Sequence, residues 1–284
     1  MIDRRCLLAG AVSLVAAPAL AASLQTLTTE DGRQVQVSVW KASGRPRGLI
    51  LFSHGALSAP GKYENLLEPW RASGFDIAAP LHVDSTDHPD RAKYGMADSW
   101  KARLLDMRAL AKAFAGGKPY VAAGHSYGAL VALTLGGVAA ERPTGFDGSM
   151  SDAAVKAVVA FSPPGVTPGL VSADGFKTLA RPALVQTGTM DVPPGAPDWR
   201  VHLAAFENAP AGDKYGLVLN GVDHYFGHLI CRPERDVPAQ SDGLKRGVEV
   251  SSLFLAAYGA GDRKAMRALA SNIGKDAIGE LTLR

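Results

Sequence analysis

Residues 120–137 read YVAAGHSYGALVALTLGG. An apolar run, the pentapeptide Gly124-His125-Ser126-Tyr127-Gly128 and an alanine- and leucine-rich run follow one another here. The pattern predicts a buried strand over 120–123, a sharp turn, and a helix over 127–140. G-x-S-x-G between a strand and a helix has a steric logic. The turn brings backbone against neighbouring strands, so side chains at either glycine would clash, and the serine itself is strained. Such a turn lifts the Ser126 hydroxyl above the sheet edge at a helix N-terminus, where amide groups and the helix dipole favour developing negative charge.

The segments around it alternate in the same way. GLILFS (48–53), FDIAAP (75–80), VKAVVAF (155–161), PALVQT (182–187) and YGLVL (215–219) are apolar runs with little alternation, as strands buried on both faces of a parallel sheet should be. Helical spacing appears over 63–73, 96–114, 197–207 and 244–258, and the charged segment 262–267 reads as a solvated helix face. Before them, 24–29 and 34–40 read as two strands joined by the Glu30-Asp31-Gly32 turn, with Val35, Val37 and Val39 alternating with polar residues. Strand 215–219 is expected to be the last and helix 244–258 the last long one. The fold class expected is therefore α/β, a mostly parallel sheet with helices on both faces, in one domain over 22–284. Only twenty residues, 162–181, separate strand 155–161 from the next, and they are rich in proline and glycine, so no large cap domain is expected.

Composition agrees with a packed globular chain. Of 284 residues, 47% are hydrophobic and 20% charged, with mean hydropathy +0.03. This excludes collagen-like, disordered and disulfide-scaffold classes. Lys plus Arg (30) against Asp plus Glu (27) leaves a net charge of +3 without a basic stripe, so nucleic acid is not an expected partner. The two cysteines, Cys6 and Cys231, form no C-x-x-C metal spacing. At the N-terminus, Arg4-Arg5 precede an apolar run over 6–17 and then Pro18-Ala19-Leu20-Ala21. That is the pattern of an export signal, loosely of the twin-arginine type, with cleavage after Ala21. The run is shorter than the roughly 20 residues a membrane-spanning helix needs. The expectation is an exported, periplasmic or secreted protein with no stable membrane anchor.

A serine hydroxyl needs a base to become a nucleophile. His224 follows the final predicted strand in the glycine-containing loop Asn220-Gly221-Val222-Asp223-His224, which makes it the first candidate, with His228 as its rival. His54, His82, His88, His125 and His202 lie at other loops, inside the turn, or on a helix. The orienting acid is expected after strand 182–187, where Gly188-Thr189-Met190-Asp191 supplies Asp191. Backbone amides of Tyr127 and of Ala56, with Leu57 second, are the candidate oxyanion donors. Leu57, Tyr225 and Phe226 are the candidate substrate-contacting side chains, with core packing as the other possibility for the aromatics. His82, Asp84, Asp87, His88 and Asp90 form a dense polar cluster. Its spacing matches no metal motif, so a solvated loop is expected there, and no metal or cofactor.

SHGA (53–56), GHSYG (124–128), GTMD (188–191) and GVDH (221–224) together resemble the α/β-hydrolase family, in which the order Ser126…Asp191…His224 is the usual one. LFSHGA followed by FDIAAPLHVDS is similar to the branch of dienelactone hydrolases and platelet-activating-factor acetylhydrolases, although a dienelactone hydrolase would carry cysteine where Ser126 stands. The resemblance implies hydrolysis of a small-molecule carboxylic ester through an acyl-enzyme, with no cofactor. An acyltransferase or peptidase with the same three residues, or a non-catalytic binding protein on the same fold, are the competing readings.

Overall fold

Strand-forming apolar runs assemble into a single ten-stranded sheet. The computed structural model describes residues 22–284, and the expected export signal with Cys6 lies outside the described residues. In chain order the strands are β1 (Ser23–Thr28), β2 (Gln34–Trp40), β3 (Gly48–Ser53), β4 (Phe75–Pro80), β5 (Tyr120–His125), β6 (Val155–Phe161), β7 (Ala183–Gly188), β8 (Lys214–Leu219), β9 (Gly274–Lys275) and β10 (Gly279–Leu283). The helices are α1 (Glu64–Ala72), α2 (Met96–Leu110), α3 (Tyr127–Leu135), α4 (Ala173–Phe176), α5 (Ala204–Asn208), α6 (Ser241–Phe254) and α7 (Arg263–Ser271).

Across the sheet the order is β1-β2-β4-β3-β5-β6-β7-β8-β10-β9. The six strands from β4 to β8 in this order are parallel, and antiparallel pairs close both edges. β4 lies on one side of β3 and β5 on the other. The winding therefore reverses between β3 and β5, and a crevice opens beyond their carboxyl ends, the usual place for a ligand in an open α/β sheet. Ser53 and Gly124 are paired there in register.

Helices on both faces explain why the parallel strands carry no polar face. Ile50 and Phe52 point to the side holding Trp70 of α1 and Phe254 of α6, whereas Leu51 joins Leu104, Met107, Leu130 and Leu133 of α2 and α3 on the other. α3 is buried along its whole length after Tyr127. Among the described residues no helix is long and apolar enough to cross a membrane.

The chain departs from expectation at its C-terminal end. β8 is not the last strand: β10 pairs with it antiparallel, Leu281 opposite Leu217. GELTL is short and only Gly279 and Leu281 are buried, which is the weak alternation of a strand near a sheet edge. Helix α3 stops at Leu135, five residues early, because Gly136 and Gly137 follow and Gly137 takes φ +116°. The 262–267 segment becomes the start of α7, with Asp262 as its N-cap accepting from the amides of Lys264 and Ala265, and Ala265 and Leu269 on its buried face. The 162–181 connection holds only the single turn α4 and no cap domain.

Candidate active site

Ser126 sits between β5 and α3 at φ +55° and ψ −124°, a conformation L-residues rarely adopt. Its surroundings hold it there. The Ser126 amide donates to the Phe161 carbonyl of β6 at 2.8 Å. A Cβ on Gly124 would lie 2.2 Å from the Gly128 carbonyl oxygen, and one on Gly128 only 2.0 Å from that of Ser53. Both glycines are thus required by backbone-to-backbone approach, as the sequence pattern implied.

Asp191 and His224 come together because their turns are knitted to each other. The Thr189 amide donates to Leu219, the Met190 amide to Val222, and the Gly221 amide to the Thr189 hydroxyl. Gly188 permits this, since a Cβ there would be 2.1 Å from the Val222 oxygen. His224 Nδ1 lies 2.7 Å from Asp191 Oδ1, and the Thr187 hydroxyl donates to Oδ2 at 3.1 Å. Asp191 is 2% exposed. Burial works against its charge, but the nearby His202 and His224 imidazoles hold its carboxyl well below the usual range. Ser126, Asp191 and His224 all line one cleft of about 800 Å³.

The loop after β3 is fastened from beneath. His54 Nε2 accepts from the His82 amide, so Nδ1 carries the proton and donates to the Gly55 carbonyl at 2.7 Å. Arg103 of α2, wholly buried, donates to the carbonyls of His54 (2.6 Å) and Gly55 (3.2 Å) and forms a two-pronged pair with Asp84 (2.9 and 2.8 Å). Its guanidinium also lies 4.6 Å from the centre of the Tyr127 ring. With the Gly55 carbonyl drawn toward Arg103 and His54, the Ala56 amide of the same trans peptide points the other way. Among the described residues, neither the Ala56 nor the Tyr127 amide donates to a protein acceptor.

His125, inside the elbow, turns away from the cleft. Its Nε2 donates to the His224 carbonyl at 2.9 Å, and its Nδ1 accepts from the Tyr63 hydroxyl, which in turn accepts from the Gly55 amide. One buried chain therefore links the β3 loop, the elbow and the His224 loop. Tyr63 and Arg103 went unnoticed in the sequence because both look like ordinary residues of amphipathic helical stretches.

The remaining candidates divide. Tyr225 lines the cleft, with Arg235 4.7 Å from its ring centre. Phe226 does not: it is fully buried against Phe161, so it belongs to the core and the expectation of a substrate contact is corrected. Leu57 is half-buried at φ +58°, its carbonyl held by Arg232, and lies outside the cleft wall. Asp223 borders the cleft but is taken up by other partners, capping the Tyr225 and Gly227 amides and pairing with Arg235. His228 is turned to the Val237 carbonyl.

The polar cluster at 82–90 does not gather around a common point. Asp87 pairs with Lys62 and Asp90 with Lys93, whereas His82 bridges the Ser53 hydroxyl and Asp106, each at 2.8 Å. Burial pushes the Asp106 carboxyl up to about 7 against the opposing pull of Arg33. Among the described residues, the one group with ligand-type atoms within 4.8 Å of one another is Asp191, His202 and His224. There His224 Nδ1 is hydrogen-bonded to Asp191 Oδ1 at 2.7 Å, and His202 Nε2 lies 3.0 Å from the same oxygen at ion-pair distance, outside hydrogen-bond alignment.

Solved structures share this architecture. Esterase 2 of Thermogutta terrifontis, solved phosphoramylated by tabun, aligns over 86% of this chain and 97% of its own with a TM-score of 0.61 and 14% identity. An α/β serine hydrolase homologue from Coxiella burnetii aligns over 73% and 91%, with a TM-score of 0.55 and 14% identity. The chain has the α/β-hydrolase fold. At the sequence level, monoglyceride lipases of mouse and human are each 28% identical over 135 residues, spanning 44% of this chain and 41% of theirs. No protein-family model matches the chain.

The Arg103–Asp84 pair yields a stability test. Arg103→Met leaves the Asp84 carboxylate and the His54 carbonyl without their buried donor, and the Gly55 carbonyl with His54 Nδ1 alone. It should lower unfolding free energy by about 3 kcal/mol in urea titration.

Proposed function

We propose that the protein is a serine hydrolase of small-molecule carboxylic esters. The observation that carries this reading is that Ser126, on a strained elbow, shares one cleft with half-buried His224 hydrogen-bonded to buried Asp191. Asp191 at His224 Nδ1 fixes the tautomer that leaves Nε2 free to accept a proton. Ser126 Oγ attacks the ester carbonyl as His224 takes its proton, and the carbonyl oxygen becomes an oxyanion facing the Tyr127 and Ala56 amides. Collapse of that intermediate breaks the ester bond, and His224 returns the proton to the departing alcohol. Water, deprotonated by His224, then attacks the acyl-enzyme, releasing the acid and restoring Ser126. Each oxyanion donor typically contributes about 3 kcal/mol to transition-state stabilisation. The names of the similar proteins, esterases and monoglyceride lipases, support the same chemistry.

The cleft favours an ester with an apolar portion. Val166, Met190 and Val192 are among the most exposed large apolar side chains of the described residues (57%, 63% and 50%), and all three line the cleft. Exposed apolar surface concentrated at a cleft mouth is characteristic of a ligand site. Export also belongs to this reading, on the strength of the Arg4-Arg5 and apolar pattern at the N-terminus.

Hydrolysis of short p-nitrophenyl esters should be measurable, and Ser126→Ala should lower kcat at least about 10³-fold with folding intact. Equal turnover by the variant would contradict the assignment. Replacing Met190 and Val192 together by serine should raise KM severalfold for an octanoate ester and little for an acetate, as steady-state kinetics would read. Terminal sequencing of the secreted or periplasmic protein should begin at Ala22; an intact Met1 there would oppose cleavage.

A further inference from the structure

Among the described residues four histidines are buried, and three of them meet a hydrogen-bond donor. His54 Nε2 faces the His82 amide, His82 Nε2 faces the Ser53 hydroxyl, and His125 Nδ1 faces the Tyr63 hydroxyl. Each can be neutral with both nitrogens satisfied. Burial accordingly pushes all three well below the ordinary histidine range.

His202 differs. It lies on the 3-10 turn Trp199–Leu203 ahead of α5 and is 3% exposed. Its Nδ1 is 2.7 Å from the Pro163 carbonyl oxygen, and its Nε2 is 3.0 Å from Asp191 Oδ1. A carbonyl oxygen and an ionised carboxylate only accept. A neutral imidazole has one N–H, so neutral His202 would press a lone pair against an oxygen inside the protein. Nε2 is not aligned for a hydrogen bond to Asp191, but at 3.0 Å the imidazolium sets a positive charge beside the carboxylate while Nδ1 donates to Pro163, whereas a neutral ring would leave that buried nitrogen with no compensating partner. In line with this, burial opposes its charge, but the nearby Asp191 carboxylate outweighs burial and pushes His202 up.

Asp191 Oδ1 therefore stands between two rings whose centres are 5.7 Å apart. The other groups around them are already compensated. His125, 4.7 Å from the His224 ring, is held neutral. Asp223 is paired with Arg235 at 2.8 Å, and Arg200 with Asp198 at 3.0 Å. A proton added to His224 thus meets Asp191 with its charge already balanced by His202.

We propose that His202 is a standing imidazolium that shares Asp191 with His224 and, by its charge, weakens the pull of Asp191 on a proton at His224. His202 is a positioning and charge-setting residue that need not touch substrate. The kinetic consequence rests on the reading of Ser126, Asp191 and His224 as a hydrolytic set.

The sign is fixed by electrostatics. His202→Gln keeps a donor toward Asp191 but removes the positive charge, so Asp191 attracts a proton to His224 more strongly. The base form is then lost at higher pH. The acid limb of kcat/KM should move up by about one pH unit, with the plateau changed much less. An unmoved acid limb would overturn the proposal, as would a pure fall in plateau, which is what a merely structural role predicts. Nitrogen-15 NMR of the histidine side chains in wild-type protein gives a reading that needs no turnover. Both His202 nitrogens should carry protons near pH 7.5, and His224 should take up its proton about one pH unit higher in His202→Gln than in wild type. A bare His202 nitrogen at that pH, or identical His224 titrations, would overturn the proposal. Absence of Ser126-dependent turnover with the NMR result intact would instead count against the hydrolase reading alone.

Discussion

The close backbone approach at Gly124 and Gly128 is the constraint on which the site depends. β5 can hand over to α3 above Ser53 only if neither residue carries a Cβ, and the same crossing places Ser126 at positive φ. Because β3 and β5 are neighbours at the point where the winding reverses, the loop after β3 faces the elbow without any insertion. Strain at Ser126 is tolerable since α3 is buried along its length and cannot readily shift to relieve it.

Beneath that elbow, polar groups replace apolar packing. Arg103, Asp84, His54, His82, Asp106, Tyr63 and His125 bind the β3 loop, the start of α3 and the His224 loop into a hydrogen-bonded layer. Such a layer is favourable only when nearly every member finds a partner, and then it specifies one arrangement. The division of charge within it follows from donors. Histidines that meet a donor stay neutral, and the one that meets two acceptors is charged. That difference separates the scaffold on the β3 side from the Asp191 side, where His202 and His224 share one carboxylate oxygen.

Much of this was legible in the sequence. Strand–helix alternation, the G-x-S-x-G turn, and the positions of Asp191 and His224 after successive strands all follow from local patterns, and the structure brings the three residues to one cleft. What escaped notice depends on long-range packing. Phe226 directly follows the cleft residues His224 and Tyr225, yet at its positive φ the ring packs into the core. His202 lies in WRVHL, where nothing marks it as a partner of Asp191. His82 and Asp84 looked like neighbours in a solvated loop, although one is wholly buried and the other answers Arg103 from α2. β10 was missed because a five-residue strand near an edge has little apolar periodicity to show.

The central claim is that Ser126 is a nucleophile activated by its neighbours. The most direct measurement is intact-protein and peptide mass spectrometry after exposure to an aryl phosphonate ester. The account predicts one adduct per chain, on the peptide containing Ser126, formed far more slowly in His224→Ala. An unmodified folded protein, or an adduct at another residue with Ser126 untouched, would contradict it.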